Sequence, residues 1–299
     1  MNPPEFDLLD PEAVSRGDAL GIMARKIVEG YRVGEHRSPF HGFAIEFAQH
    51  REYSIGDDTR HLDWKVIGRS DRYYIRQYEQ DTNFVTQLVV DGSASMNYGS
   101  SKLTKLHFAK VLAACLAHVI LLQRDAVALA LVDEKVQDYM PRTDSPGSIQ
   151  QIMERLARFQ GSAKTSLGES LLQVSREARK RGITIIISDL LDDEEGLARG
   201  LERLTYGGHE VIVFHTLDPH ELTFPFDGTW EFRNLEGADR LKISPADFRK
   251  TYLKNLEAFT ARVRATCEKF QAHYLLVDTG KNLAETLSGY LAFRQKAAR

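Results

Sequence analysis

The stretch that decides the fold is residues 84–95, FVTQLVVDGSAS, where an apolar run gives way to small polar residues. The run is rich in β-branched side chains, which predicts a buried strand over residues 84–90. The loop DGSAS, residues 91–95, follows at the carboxyl end of that strand. Because functional groups gather at the carboxyl ends of central parallel strands, this stretch predicts both a central strand and a candidate site.

Strands and helices alternate from this stretch to the C-terminus, which predicts an α/β fold with a doubly wound, mostly parallel sheet. Apolar runs predict the strands, at residues 84–90, 126–132, 135–140, 183–187, 211–214 and 274–277. Helical spacing predicts the helices, at residues 103–123, 145–159, 167–181, 194–206, 244–270 and 283–293. Gly182 is predicted to cap the third helix. Residues 1–83 are expected to form an N-terminal extension with helical and β elements, and residues 84–299 the main domain, with an insertion at about 217–243.

The bulk composition indicates a soluble protein with a sizeable core. Of 299 residues, 42% are hydrophobic and 27% charged, and the net charge of −3 does not favour nucleic acid or an anionic membrane as a partner. The two cysteines, Cys115 and Cys267, are expected to be buried free thiols, which favours a reducing compartment. The apolar run at residues 111–122 is shorter than the roughly 20 residues that a bilayer requires. We therefore expect a cytoplasmic protein with no signal peptide and no membrane insertion.

Oxygen-bearing side chains follow two predicted strands and precede one predicted helix. The loop after the first strand carries Asp91, Ser93 and Ser95. Thr165 stands just before the helix at 167–181, and Asp189 comes just after the strand at 183–187. If these segments converge, they offer the oxygen ligands that Mg²⁺ prefers, and Mn²⁺ or Ca²⁺ are possible alternatives. The alternative interpretation is a purely structural one, in which these residues only form turns and helix caps.

This set of segments resembles the metal-ion-dependent adhesion site (MIDAS) of von Willebrand factor A domains. That family shows an Asp-x-Ser-x-Ser loop, a Thr before a Leu-Gly helix start, and an Asp after an apolar strand. The resemblance implies that the hydroxyls of Ser93, Ser95 and Thr165 bind the metal directly, while Asp91 and Asp189 act largely through water. Such an ion is incompletely neutralised, so it can accept a carboxylate from a partner. We therefore expect a binding protein rather than an enzyme.

A rival interpretation is a Mg²⁺-dependent phosphohydrolase of the haloacid-dehalogenase type. It would use Asp91 as nucleophile, Thr165 or Ser166 on the phosphate, and Asp189 with Asp193 on the metal. That chemistry needs a carboxylic acid two residues after the nucleophile to protonate the leaving group. Position 93 is a serine, which is no such acid near neutral pH. The sequence therefore favours the binding protein.

The segment before the sheet carries a second pattern. It includes YRVGEHRSPFHGFAIEF (31–47), REYSIGDDTRHLDWK (51–65) and GRSDRYYIRQYEQDT (68–82). Together with the loop at 91–95, these strings resemble bacterial proteins of the domain of unknown function 58 family, over essentially the whole chain from about residue 10. Members are typically encoded beside MoxR-type AAA+ ATPases. The resemblance implies that such an ATPase, or its client, is the protein partner.

Two interpretations of this segment stay open. Its charged and aromatic residues form either a structural strap of salt bridges or a partner-docking surface. The residues of that possible surface are Arg51, Asp57, Asp58, Arg60, Asp63 and Trp64. The histidines at positions 36, 41, 50 and 61 have spacings that fit no usual zinc module, so we do not expect a zinc site.

Overall fold

A computed structural model of the chain describes residues 45–52, 73–80, 85–100, 103–161, 166–178, 180–227, 230–233, 240–243, 245–281, 283 and 286. The described elements fall in two compact units. The smaller unit contains β1 (Ile45–Glu52) and β2 (Tyr74–Gln80), which pair antiparallel. The helical part expected within residues 1–83 lies outside the described residues.

The larger unit is built on a six-stranded, mostly parallel sheet with the order β10-β7-β6-β3-β4-β5. The larger unit's strands are β3 (Val85–Asp91), β4 (Ala126–Val132), β5 (Val136–Thr143), β6 (Gly182–Ser188), β7 (Glu210–Leu217), β8 (Trp230–Arg233), β9 (Arg240–Ile243) and β10 (His273–Asp278). Only β5 runs antiparallel to its neighbour in the six-stranded sheet, and it lies at the edge as predicted. Strands β8 and β9 form a separate antiparallel pair within the segment predicted as an insertion.

Six described helices accompany the sheet. They are α1 (Lys105–Leu122), α2 (Ser148–Arg158), α3 (Leu167–Glu177), α4 (Glu194–Tyr206), α5 (Pro219–Thr223) and α6 (Pro245–Lys269). A short 3₁₀ turn, Ala94–Asn97, follows β3. Since the chain first builds β3, β4 and β5 outward on one side and then returns to β6, β7 and β10 on the other, β3 and β6 meet at the centre.

The burial of the central strands explains why the sequence pattern predicted them. Every residue of β3, β4 and β6 is buried, as in a parallel sheet covered on both faces. Such strands appear in the sequence as continuous apolar runs.

Within the described ranges, α1 is the one helix long and apolar enough to cross a bilayer, and 72% of that stretch is buried inside the protein. Both cysteines are buried and free.

The prediction for residues 167–182 was wrong in one respect. The helix ends at Glu177, because Ala178 already leaves the helical conformation. Gly182 is therefore the first residue of β6 rather than a helix cap. A Cβ atom there would lie 2.0 Å from the carbonyl oxygen of Val85 on the neighbouring strand. Glycine is required at this position by the close approach of two strands.

A contact between two glycines positions α3, the helix that begins just after Thr165 in the sequence. Gly168 in α3 lies against Gly196 in α4, and a Cβ on Gly168 would be 2.5 Å from the carbonyl carbon of Gly196. The start of α3 is held further by the main-chain N–H of Leu167, which donates to the Asp192 carboxylate over 2.6 Å. The first turn of α3 is thus positioned by backbone contact with α4.

Candidate metal centre

Every parallel strand of the sheet ends in an aspartate or is followed at once by one. In each case the carboxylate accepts a hydrogen bond from the main-chain N–H two residues later. The five pairs are Asp91 with Ser93, Asp133 with Lys135, Asp189 with Leu191, Asp218 with His220, and Asp278 with Gly280. Such turns are a common role of aspartate. The turn alone therefore does not indicate a metal site. Assigning Asp91 and Asp189 to a metal requires evidence from their other contacts and from the charges around them.

Asp91 and Asp189 stand side by side at the centre of the sheet. Their strands, β3 and β6, are paired in register, and each residue is only 1% exposed. The second carboxylate oxygen of Asp91 accepts a 2.5 Å hydrogen bond from the Ser188 hydroxyl. Burial, and then the negative charge of Asp189, raise the pKa of Asp91 to about 7, although hydrogen bonds from Ser188 and Ser93 act in the opposite direction. The raised pKa indicates that little positive charge compensates the ionised form of Asp91.

Two hydroxyl groups from the same loop lie beside each other. The Oγ atoms of Ser93 and Ser95 are 3.1 Å apart, and Ser93 is fully buried. In octahedral Mg²⁺ with oxygens at about 2.0–2.1 Å, neighbouring ligands are about 2.9 Å apart. The two hydroxyls are hydrogen-bonded to each other, and their separation is close to that of adjacent ligands on one ion.

The rest of the predicted ligand set is described only in part. Thr165 lies outside the described residues. Its neighbour Ser166 donates from its main-chain N–H to the carbonyl oxygen of Asp133 over 3.2 Å. No group of three or more His, Cys, Asp or Glu side chains able to hold a metal occurs in the described part of the chain. An ion at this edge of the sheet would depend mainly on hydroxyl and water oxygens.

A buried lysine, which the sequence analysis missed, bonds to the candidate site. Lys105, the first residue of α1, is 0% exposed, and its Nζ atom donates to Asp189 over 2.7 Å and to Glu221 over 2.6 Å. Burial lowers the pKa of Lys105, but the attraction of Asp189 and Glu221 outweighs burial and raises it. A signal was available in the sequence: a cation in the first helical turn opposes the helix dipole, so it suggests a carboxylate nearby.

His215 on β7 is also buried next to Asp189. Its Nδ1 atom is 2.7 Å from the Tyr274 hydroxyl, and its ring packs edge-on against Phe259. Burial lowers the pKa of His215 to about 4, even though Asp189 favours the charged form. His215 is therefore neutral at physiological pH and adds no positive charge. A histidine inside an apolar strand gave no sequence signal for this position.

An aromatic ring covers the loop that carries the two serines. Phe159, which follows α2, packs so closely on Gly92 that a Cβ there would lie 2.3 Å from the ring. Beyond the ring is an open cleft of 590 Å³ between β4, β5 and α2, with polar side chains that include Asp133, Arg155 and Arg158. The candidate centre thus adjoins a polar cleft at the protein surface.

The possible partner surface of the N-terminal segment is almost entirely outside the described residues. Arg51 lies in β1, opposite Ile75 of β2. The other five residues, Asp57, Asp58, Arg60, Asp63 and Trp64, are not among those that the structure describes. Of the four histidines, His50 lies in β1, and the other three are outside the described ranges. The strap and docking interpretations both stay predictions.

Comparison with known proteins gives one family and several similar proteins. Residues 49–262 match the family described as "Protein of unknown function DUF58". Uncharacterized proteins of Mycobacterium bovis (Mb1516) and Mycobacterium tuberculosis (Rv1480) are 24% identical to the chain over 306 aligned positions, covering all of this chain and 96% of theirs. Among solved structures, the hypothetical protein BatB of Bacteroides thetaiotaomicron and an aerotolerance-related membrane protein of Bacteroides fragilis are each 16% identical. Each covers 71% of this chain and 99% of its own, with TM-scores of 0.43 and 0.48.

Proposed function

Because this chain belongs to the DUF58 family of proteins of unknown function, we propose that it is a metal-dependent protein-binding adaptor. One observation carries the proposal: two buried carboxyl groups, Asp91 and Asp189, lie together beside the paired hydroxyls of Ser93 and Ser95. A pKa of about 7 at Asp91 indicates that its ionised form lacks a counter-charge. A divalent cation supplies that charge.

The topology supports a site of the von Willebrand factor A type. If the six strands of the main sheet are numbered 1 to 6 in chain order, from β3 to β10, their order across the sheet is 3-2-1-4-5-6. This strand order is common among doubly wound folds. In such folds, ligands bind outside the carboxyl ends of the strands, where the strand order reverses. Asp91 and Asp189 occupy that point, between β3 and β6.

The charges at this point favour an ion that keeps part of its positive charge. Asp91, Asp189 and Glu221 bring three carboxyl groups, and Lys105 brings one ammonium group to two of them. A Mg²⁺ ion held by Ser93, Ser95, Thr165 and water gains little further neutralisation from those neutral ligands. A carboxylate of a partner protein then replaces a water and completes the shell with a charge-assisted contact.

The partner that we propose is a MoxR-type AAA+ ATPase or its client, in the cytoplasm. We propose no catalytic activity for the chain. The phosphohydrolase alternative needs Asp193 at the metal, but both oxygens of Asp193 cap α4, accepting from the N–H groups of Glu195 at 3.1 Å and Gly196 at 2.9 Å. Ser93 also stands where that alternative needs an acid.

Ser93→Ala is expected to weaken partner binding about 30-fold or more in Mg²⁺. The reason is that the substitution removes a neutral ligand of the ion, and without the ion the partner carboxylate loses its charged contact, which costs about 2–5 kcal/mol. The measurement is calorimetric titration of a MoxR-type ATPase into the full chain, in Mg²⁺ and in EDTA. EDTA should weaken wild type as much as the substitution does.

Ser175→Ala is the matched control, because the Ser175 hydroxyl only donates to the Leu172 carbonyl within α3. It should bind the ATPase like wild type in both buffers. Equal affinity of the wild-type chain in Mg²⁺ and in EDTA would show that the metal does not take part in binding.

A further inference from the structure

We propose that Lys105 is a resident cation that competes with the divalent ion for Asp189 and so sets the metal affinity of the site. This inference rests on the proposed function, because it concerns the same centre. Lys105 is fully buried, and its Nζ atom donates to Asp189 over 2.7 Å and to Glu221 over 2.6 Å. Both distances are those of strong, charge-assisted hydrogen bonds.

Both carboxylates that bond to the Lys105 ammonium group are themselves held by main-chain hydrogen bonds. Asp189 is 1% exposed, and its other oxygen accepts from the N–H of Leu191. The far oxygen of Glu221 accepts from the N–H of Asp218 over 2.8 Å, which anchors it at the start of α5. Lys105 therefore bridges two anchored carboxylates rather than one mobile partner.

This position makes Lys105 an opponent of metal binding. The ammonium already neutralises Asp189, one of the two carboxylates beside the ion's expected position, and it repels an incoming cation at short range and low dielectric. The same bridge stabilises the metal-free protein, because it keeps Asp189 and Glu221 from being buried without a partner. The side chain thus weakens metal affinity and supports the fold when no metal is bound.

Lys105→Met is the direct test. We expect it to bind Mg²⁺ about ten-fold tighter or more by calorimetric titration. In EDTA the variant should melt at a lower temperature than wild type, and saturating Mg²⁺ should recover more of its stability than it adds to wild type. A lysine that only supports the fold would lower the melting temperature without tightening metal binding.

The double variant Lys105→Met with Glu221→Gln separates the two carboxylates. Glu221→Gln removes the negative charge of Glu221, and Lys105→Met leaves Asp189 without its cationic partner. Tight Mg²⁺ binding should therefore persist, while stability in EDTA should improve over the single variant. If tight binding disappeared in the double variant, Glu221 rather than freed Asp189 would explain the gain, and the proposal would fall.

Lys254→Met is the control. It removes one positive charge as Lys105→Met does, but from an exposed position in α6. Its Mg²⁺ affinity should stay within about two-fold of wild type, because screening weakens charges that are not in contact. Unchanged affinity in Lys105→Met, beside measurable binding by wild type, overturns this inference alone. Absence of Mg²⁺ binding by every variant and by wild type overturns the proposed function as well.

Discussion

Asp91→Asn is expected to stabilise the metal-free protein at pH 8 and to leave its stability nearly unchanged at pH 4. The pKa of Asp91 is about 7 in the folded chain against an ordinary value of 3.8, so the folded state holds its proton more tightly. The stability that this proton contributes is present below pH 4 and is lost as the pH rises through 7. Asparagine keeps the oxygen that accepts from Ser93, its amide N–H₂ can donate to the Ser188 hydroxyl in place of the bond that Asp91 accepts from it, and it has no acidic proton to lose.

The size of this effect follows from the pKa difference. That difference corresponds to roughly 4 kcal/mol at most, so we expect a gain of about 2–4 kcal/mol at pH 8. In a protein of this size the melting temperature should rise by about 3–6 °C. Thermal melts in EDTA at pH 4 and pH 8 measure both the gain and its pH dependence.

Asp278→Asn is the control for this experiment. Asp278 forms the same turn, accepting from the N–H of Gly280, but it is half-buried on the edge strand. Its substitution should not reproduce the gain in stability at pH 8, because Asp278 is not enclosed as Asp91 is. If Asp91→Asn destabilised the protein at pH 8, or changed it equally at both pH values, the description of Asp91 as an uncompensated buried acid would be wrong.

Gly168→Ala is expected to destabilise the fold by about 3 kcal/mol or more. The added Cβ would lie 2.5 Å from the carbonyl carbon of Gly196. Because the obstructing atoms are backbone, no side chain can turn aside, and α3 must separate from α4. The start of α3, next to Thr165, should move with it. Urea denaturation measures the loss of stability.

Gly147→Ala is the matched substitution for comparison. A Cβ on Gly147 meets only the Ser145 hydroxyl at 3.7 Å, and its backbone is already helical. We expect a change of less than about 1 kcal/mol, because alanine fits this conformation without strain. Similar losses in both variants would mean that the contact between α3 and α4 is looser than the structure indicates.

The order of elements in the main sheet could be predicted because its central strands are buried on both faces. Residues 126–132 and 194–206 were predicted with the bounds that β4 and α4 have. Gly182 was misread because glycine after a helical pattern usually marks a cap, and only the packing of β6 against Val85 shows its real role. Local sequence does not reveal which distant backbone a residue will touch.

The candidate site was predictable only in its loops. Asp91, Ser93 and Asp189 were predicted to lie together because they follow apolar strands whose carboxyl ends meet at one edge, whereas their binding of a metal stays a prediction. Lys105 and Glu221 were missed because Lys105 bonds to two carboxylates that lie far along the chain, Asp189 after 84 residues and Glu221 after 116. Contacts of that range follow from the order of strands in the sheet and not from spacing along the chain.

The measurement that tests the central claim most directly is a Mg²⁺ titration of the full chain, compared with Ser93→Ala and Thr165→Ala. We predict one ion per wild-type chain and a loss of about ten-fold or more in affinity for each variant, because each removes a direct ligand. Ser175→Ala should bind as wild type does. No Mg²⁺ binding by the wild-type chain at millimolar concentration, or equal binding by all four proteins, would contradict a metal centre at Asp91, Ser93, Ser95, Thr165 and Asp189.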